Sequence, residues 1–307
     1  MKAAYFMKNG GPEVMEYGEV ADPVPAAGQV LVDVHAASVN GADWKVRAGS
    51  YAPTKFFPYI PGRDFSGVVA ALGPGVTDFK VGDEVFAVSE QTGEQCYAEK
   101  VAMNAQIVAK KPAQLSHVEA ASVALIGLTA LVSIEDTLKL QKGETILIQG
   151  GAGGVASFAI QVAKHIGARV ITTTSAANVD YVKSLGADQV IDYNAEDFTK
   201  VVSNVDAVFD TVGGDVNKRS FEVVKSGGRV ASIASGPAAP ESPRKDVQSL
   251  RPKVGRDRPH LERIAHLVTT GAVKLPEIRT FALSDAAAAH RISEGRHFRG
   301  KLVFKVR

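Results

Sequence analysis

The chain has 307 residues, 45% of them hydrophobic and 22% charged, with a formal net charge of +2. That length accommodates two domains and a large buried core, and the near-neutral balance excludes bulk attraction to nucleic acid or to an acidic membrane. The single cysteine, Cys96, excludes an intrachain disulfide and suits a reducing compartment.

The N-terminus, Met1-Lys2-Ala3-Ala4-Tyr5, lacks the apolar core of a secretory leader, so a cytoplasmic location is expected. Residues 1–115 read as β-rich. Residues 30–35 partly alternate, and residues 65–70 are β-branched and apolar. Turns fall at Gly10-Gly11-Pro12, Pro61-Gly62 and Gly73-Pro74-Gly75, which suggests a barrel-like domain. The most apolar run, 120–134, is interrupted by Ser122, Gly127, Thr129 and Ser133 and flanked by Glu119 and Glu135. It is short for a membrane span and reads as a buried helix, with no membrane partner.

From residue 145 the rhythm changes. Strands are expected at 146–149, 169–173, 189–192, 206–210 and 229–233, with helices at 155–166, 178–185, near 195–202 and near 216–224. Gly167, Gly186 and Gly227-Gly228 mark helix ends. This alternation argues for a parallel sheet with helices on both faces. Residues 236–259 then break the pattern with Pro237, Pro240, Pro243, Pro252 and Pro259. The segment is also basic, with Arg244, Lys245, Arg251, Lys253, Arg256 and Arg258 against Asp246 and Asp257. It reads as a solvated loop with a short edge strand at 247–250, or as a subunit interface or phosphate contact. Helices at 261–270 and 285–294 and a strand at 301–306 follow, and the end of the chain is expected to return to the first domain.

The stretch 145–156 is the most informative. An apolar strand runs into Gly150-Gly151-Ala152-Gly153-Gly154, and a helical pattern starts at Val155. Gly151, Gly153 and Ala156 fit the pattern G-x-G-x-x-G/A in its required strand–turn–helix context. Backbone N–H groups of such a turn, here around Gly151, Gly153, Gly154 and Val155, hold a pyrophosphate at a helix start. NAD sites usually carry an acid about 20 residues further on, at the end of the second strand. Here that strand end is Thr172-Thr173-Thr174-Ser175, without a carboxylate. This favours NADP(H) over NAD, with Thr174 and Ser175 as candidate ligands. Tyr193 sits where an adenosine end would lie, and Lys183 is either a helper or a solvated helix lysine.

Several segments resemble the medium-chain dehydrogenase/reductase superfamily in its zinc-independent quinone oxidoreductase branch. They are residues 36–49, Pro61-Gly62-Arg63-Asp64-Phe65-Ser66-Gly67-Val68-Val69, residues 73–85, Gly127-Leu128-Thr129-Ala130, Phe209-Asp210-Thr211-Val212-Gly213-Gly214 and Gly300-Lys301-Leu302-Val303. The resemblance implies an α/β chain: a GroES-like β-barrel catalytic domain (1–118 and 268–307), a Rossmann doubly wound parallel sheet (119–267), and a cofactor held in the cleft between them. A homodimer is also a family expectation. In the zinc-dependent alcohol dehydrogenases of this superfamily, a Cys stands where Asn40 is, a His-Glu pair where Arg63-Asp64 is, and another Cys near Leu125. Catalytic zinc needs about three Cys, His or carboxylate ligands. A four-cysteine lobe would fall around 89–98, which holds Cys96 alone. No metal is therefore expected, and Cys96 reads as a small buried residue.

Without a Lewis acid, simple ketones become harder acceptors, whereas quinones and α,β-unsaturated carbonyls are already electrophilic. The expected activity is NADPH-dependent hydride transfer to such small molecules, helped by hydrogen bonds at the oxygen. The resemblance places three candidates at the active-site edge. Asn40 would donate through its amide, or else cap the following helix. Lys45 would stabilise an anion or touch phosphate, or else be an exposed helix lysine. Tyr51 would line the pocket or donate a proton, or else pack in a loop. Thr129 is the carboxamide candidate, with Val212, Ala234 and Ser235 at the later strand ends. Asp43 would orient the cofactor or make a local helix-start bond, and Lys301 would reach the cofactor. Two rivals stay open: an enoyl-thioester reductase on the same fold, kept alive by the basic loop, and a non-catalytic NADPH-binding redox sensor or nucleic-acid binder.

Overall fold

The computed structural model describes residues 1–51, 54, 56–90, 94–234, 236, 238–296 and 298–307. Two compact units emerge: residues 1–125 with 256–269 and 275–307, and residues 126–255 with 270–274.

In the first unit β1 (Lys2–Phe6) and β2 (Met15–Glu19) pair antiparallel. Then come β3 (Gln29–Ser38), α1 (Gly41–Arg47), β4 (Asp64–Leu72), β5 (Glu84–Val88), β6 (Lys100–Asn104) and β7 (Val108–Lys110). β3 is the spine. Its alternation puts Val30, Val32, Val34 and Ala36 inside, while Leu31, Asp33 and His35 are half-buried; side chains repeat every second residue along a strand. β3 pairs antiparallel with β4 and β6, and two register shifts against β4 mark irregularities that bend such a ladder. The expected apolar helix is α2 (His117–Leu131), which continues as a π-helical turn over residues 132–137. By length and composition this segment would cross a bilayer, but most of it is buried inside the fold.

The second unit carries β8 (Thr145–Gln149), α3 (Gly154–Ile166), β9 (Arg169–Thr174), α4 (Val179–Ser184), β10 (Gln189–Asp192) and α5 (Phe198–Val201). It continues with β11 (Val205–Asp210), α6 (Asp215–Ser220), β12 (Val224–Ser232) and β13 (Gln248–Leu250). All pairings are parallel, in the order β10-β9-β8-β11-β12-β13. Counted from β8 this is 3-2-1-4-5-6, the dinucleotide-binding order. Consecutive residues Ile146, Leu147 and Ile148 are fully buried, so both faces of the sheet are covered. Leu147, Ile171, Val208, Phe221 and Val230 share one core cluster. α3 ends where expected, with Gly167 at φ 92° bonding back to the Ala163 and Lys164 carbonyls.

The chain then forms α7 (Arg258–Thr269), β14 (Ile278–Ala282), α8 (Ala286–Glu294) and β15 (Lys301–Lys305). β15 lies antiparallel to β3 and parallel to β14. Where a return at residue 268 was expected, the compact units divide at 256, with 270–274 in the second, so α7 groups with the first unit. Arg258 explains this. Its guanidinium donates to the Val108 and Ala105 carbonyls at 2.8 Å each and lies over the Phe79 ring.

Candidate active site

The nucleotide half of the site sits at the C-terminal ends of β8, β9 and β11. Gly150 takes φ 76°, its N–H donates to Thr173 Oγ1 at 3.1 Å, and the Gly151 N–H donates to the Thr173 carbonyl at 2.9 Å. Gly151 has no room for a side chain: a Cβ there would lie 2.3 Å from Thr172 Oγ1. α3 starts at Gly154 with Gly153 as N-cap and no side-chain cap. Its first N–H groups thus face outward with the positive end of the helix dipole, which fits the pyrophosphate of a dinucleotide.

Two hydroxyls of β9 brace the sheet: Thr172 Oγ1 donates to the Ile148 carbonyl at 2.7 Å, and Thr173 Oγ1 donates to Gln149 Oε1 at 2.7 Å. Thr174 is buried, and its carbonyl receives the Tyr193 N–H. Ser175 is half-buried, with its Oγ accepting from Asn178, and Tyr193 is exposed beside the strand ends.

Asp210, fully buried at the end of β11, organises the next turn. Its Oδ1 accepts from the Val212 and Gly213 N–H groups, and its Oδ2 from Asn217 Nδ2 and Ser232 Oγ, all at 2.9–3.0 Å. Val212 is thereby left as an exposed apolar side chain. Thr211 Oγ1 donates to the Gln149 carbonyl at 2.8 Å and ties this turn to the glycine turn. Thr129 lies within α2, just before the π-helical turn, and its carbonyl accepts from Ser133 Oγ at 2.7 Å. π-helical turns recur at functional sites. Ala234 follows β12 with its N–H 3.4 Å from Ser232 Oγ, and Ser235 lies outside the described residues.

The barrel half is a buried polar network that residue-by-residue reading did not find. Asn40 opens α1. Its Nδ2 donates to Asp64 Oδ1 at 2.8 Å, and its Oδ1 accepts from Lys301 Nζ at 2.7 Å. Asp64 also accepts from Ser38 Oγ at 2.8 Å and from the Leu125 N–H at 3.2 Å. Burial pushes the Asp64 carboxyl up and the Lys301 amine down, with each one's charge opposing the other's shift. Asn40 stands at the N-cap of α1, as its alternative reading had it, with its amide engaged inside the protein, and the Lys301 ammonium is buried against that amide and the Val39 carbonyl.

Asp43 is likewise fully buried and makes the helix-start bond that was its alternative reading. It accepts from the Asn40 N–H at 2.9 Å and from the Tyr97 hydroxyl at 2.7 Å, and faces Arg63 Nε at 3.4 Å. Burial pushes its carboxyl up to about 7, against the pull of Arg63. Arg63 Nη2 pairs with Glu94 at 2.6 Å, and its guanidinium lies 4.8 Å from the centre of the Tyr51 ring. Tyr51 is thus brought onto the network while remaining 53% exposed. Lys45, on α1, is half-buried with its ammonium over the Trp44 ring. The missed members, Arg63, Asp64 and Glu94, had one visible signal: a charged pair set between a Pro-Gly turn and an apolar strand.

This donor set does not fit zinc. An amide, a guanidinium and a carboxylate already bonded to Asn40 and Ser38 stand at the positions in question, and a lysine ammonium touches the amide oxygen. Among the described residues no three His, Cys, Asp or Glu side chains converge. Four arginines of the basic segment are anchored within the protein. Arg244, Arg251, Arg256 and Arg258 donate to main-chain carbonyls of Phe221, Ser232, Ser89 and Val108.

A GroES-like barrel unit and a doubly wound dinucleotide sheet, in one chain with a buried polar network, define a two-unit oxidoreductase. Residues 26–113 match the alcohol dehydrogenase GroES-like domain, and residues 185–304 match a zinc-binding dehydrogenase family. The chain is 34% identical to an NADPH-dependent alkenal/one oxidoreductase of Arabidopsis thaliana, over 99% of this chain and 79% of that one. It superposes on a quinone oxidoreductase from Coxiella burnetii with a TM-score of 0.91 and 36% identity, covering 100% and 99% of the two chains. Against the Escherichia coli quinone oxidoreductase complexed with NADPH the TM-score is 0.90 and the identity 28%, with both chains covered in full. The chain belongs to the medium-chain dehydrogenase/reductase superfamily, in its quinone oxidoreductase branch.

Proposed function

We propose that the chain reduces quinones and α,β-unsaturated carbonyls with NADPH and without a metal. The observation that carries this reading is the Asn40–Arg63–Asp64 set: an amide, a guanidinium and a carboxylate already bonded to Asn40 and Ser38 stand at the zinc-ligand positions of the superfamily, with the Lys301 ammonium against the amide oxygen. An acceptor must then be activated by its own conjugation. Bound NADPH supplies the hydride. Gly151, Gly153, Gly154 and Val155 hold the pyrophosphate through their N–H groups, and Ser175 and Tyr193 flank the adenosine phosphate. Thr129, Val212 and Ala234 border the nicotinamide. On the acceptor side Tyr51 offers a hydroxyl and Lys45 an ammonium to the oxygen that becomes negative. One such donor is worth ~2.7–4 kcal/mol of transition-state stabilisation in a dry site.

The test is a panel of acceptors followed by NADPH absorbance: a naphthoquinone, a short enone, an acyclic ketone and an enoyl thioester. Turnover of the first two, untouched by chelator and slower with NADH, is expected. Preference for the ketone, or loss of activity with EDTA, refutes the reading. Binding of NADPH without turnover of any acceptor would favour the redox-sensor alternative.

A further inference from the structure

Lys301 was expected to reach the cofactor, and its ammonium lies buried in the barrel unit. Its entry is fixed by the backbone. Gly300 takes φ 83°, a Cβ there would lie 2.1 Å from the Glu277 carbonyl oxygen, and the Lys301 N–H donates to that same oxygen at 2.8 Å. The ammonium, 4% exposed as a residue, then meets the Asn40 amide at 2.7 Å and the Val39 carbonyl at 2.8 Å. The other side of the amide is held by Asp64, and the Asn40 N–H by Asp43. The N-cap residue of α1 is thus gripped by one lysine and two aspartates.

We propose that Lys301 is a positioning residue for the reaction: it fixes the Asn40 amide, and through it the segment from α1 to Tyr51, without touching cofactor or acceptor. The segment is tied together internally. α1 runs from Gly41 to Arg47, and Ser50 closes onto it by donating its N–H and Oγ to the Lys45 carbonyl at 2.9 and 3.2 Å. A shift at Asn40 therefore carries Lys45 and Tyr51 with it. This inference rests on the proposed reduction, in which those two side chains meet the acceptor. A misplacement of about 1 Å in such groups lowers turnover about 100-fold.

The experiment compares wild type, Lys301→Met, and Lys301→Met combined with Asp64→Asn, with NADPH and a naphthoquinone. Lys301→Met should lower kcat by about 10- to 100-fold and leave KM for NADPH within about twofold. It also leaves Asp64 buried without a countercharge, so its thermal midpoint should fall. The double variant restores charge balance but lets the Asn40 amide turn over. Its midpoint should recover while kcat stays low. Three results would overturn the inference: kcat recovering together with the midpoint, an unchanged kcat in Lys301→Met, or a salt-dependent rise in KM for NADPH at constant kcat. A wild-type protein inactive with every acceptor would instead refute the proposed function.

Discussion

The sharpest test of the nucleotide half is Gly151→Ala. The added methyl would lie 2.3 Å from Thr172 Oγ1 and 3.1 Å from its Cγ2, roughly 1 Å inside ordinary contact. Neither partner can yield easily. Thr172 is fully buried on β9 and its hydroxyl is bonded to the Ile148 carbonyl, while Gly151 is tied to Thr173. Overpacking of this kind costs ~1–3 kcal/mol, and a lost hydroxyl bond adds ~1 kcal/mol. Gly151→Ala should therefore destabilise the protein by ~2–4 kcal/mol, read as a lower urea midpoint at constant slope. The turn should also open by enough to weaken NADPH binding at least about tenfold, read by fluorescence titration. Adding Thr172→Ala removes Oγ1 and Cγ2, leaving Thr172 Cβ at 3.2 Å as the nearest of the three atoms. The double variant should recover most of both losses. If Gly151→Ala keeps stability within about 0.5 kcal/mol and binds NADPH normally, or if the two substitutions are additive, the close-approach argument fails.

Tyr193→Ala should raise KM for NADPH about tenfold and leave KM for NADH nearly unchanged, since the ring is proposed to flank the adenosine phosphate. Asp210→Asn replaces one of two oxygens that together accept four donors in a buried site. It should destabilise by ~1–3 kcal/mol and weaken NADPH binding through the Val212 turn, checked by denaturation and titration. Two buried groups of the barrel unit should give opposite pH slopes. Burial, then Arg47, hold His290 neutral down to about 3 from an ordinary 6.5, so the unfolded chain takes up the proton first on acidification. Stability should fall as pH drops from about 6.5 to about 3, and His290→Gln should flatten that slope. Asp43 is pushed up from 3.8 to about 7, so the folded state holds its proton longer and stability should fall as pH rises across that window. Asp43→Asn should flatten that fall, measured by thermal midpoints across the pH range.

The second unit was legible because its signals are local. An apolar strand, a glycine turn and a helix repeat within short stretches; the exception is Gly227-Gly228, expected to end a helix but lying inside β12. What escaped is what depends on distant partners. Nothing near Arg258 announces that its guanidinium will bind carbonyls of Val108 and Ala105, so α7 was expected with the other unit. A hydroxyl in sequence has no direction, so the run Thr172-Thr173-Thr174-Ser175 did not announce that its first two members brace the glycine turn and the strand before it. Asn40 was singled out for its amide, and the two groups that claim that amide come from β4 and β15. Residue types marked the site. Distance in sequence hid how it is held.

The same β15 that delivers Lys301 has a consequence for how the chain is made. It pairs with the Ala36–Ser38 end of β3, and Lys301 meets Asn40 across 261 residues. A ribosome adding roughly 5–20 residues per second would expose that strand edge for on the order of 10 to 60 seconds before its partner emerges. During that interval the sheet edge is open to other chains, while residues 126–255, contiguous and paired in parallel among themselves, are free to fold. The polar floor under α1 is therefore among the last parts to form. Chaperone demand in a living cell should track residues 36–38 more than the nucleotide sheet.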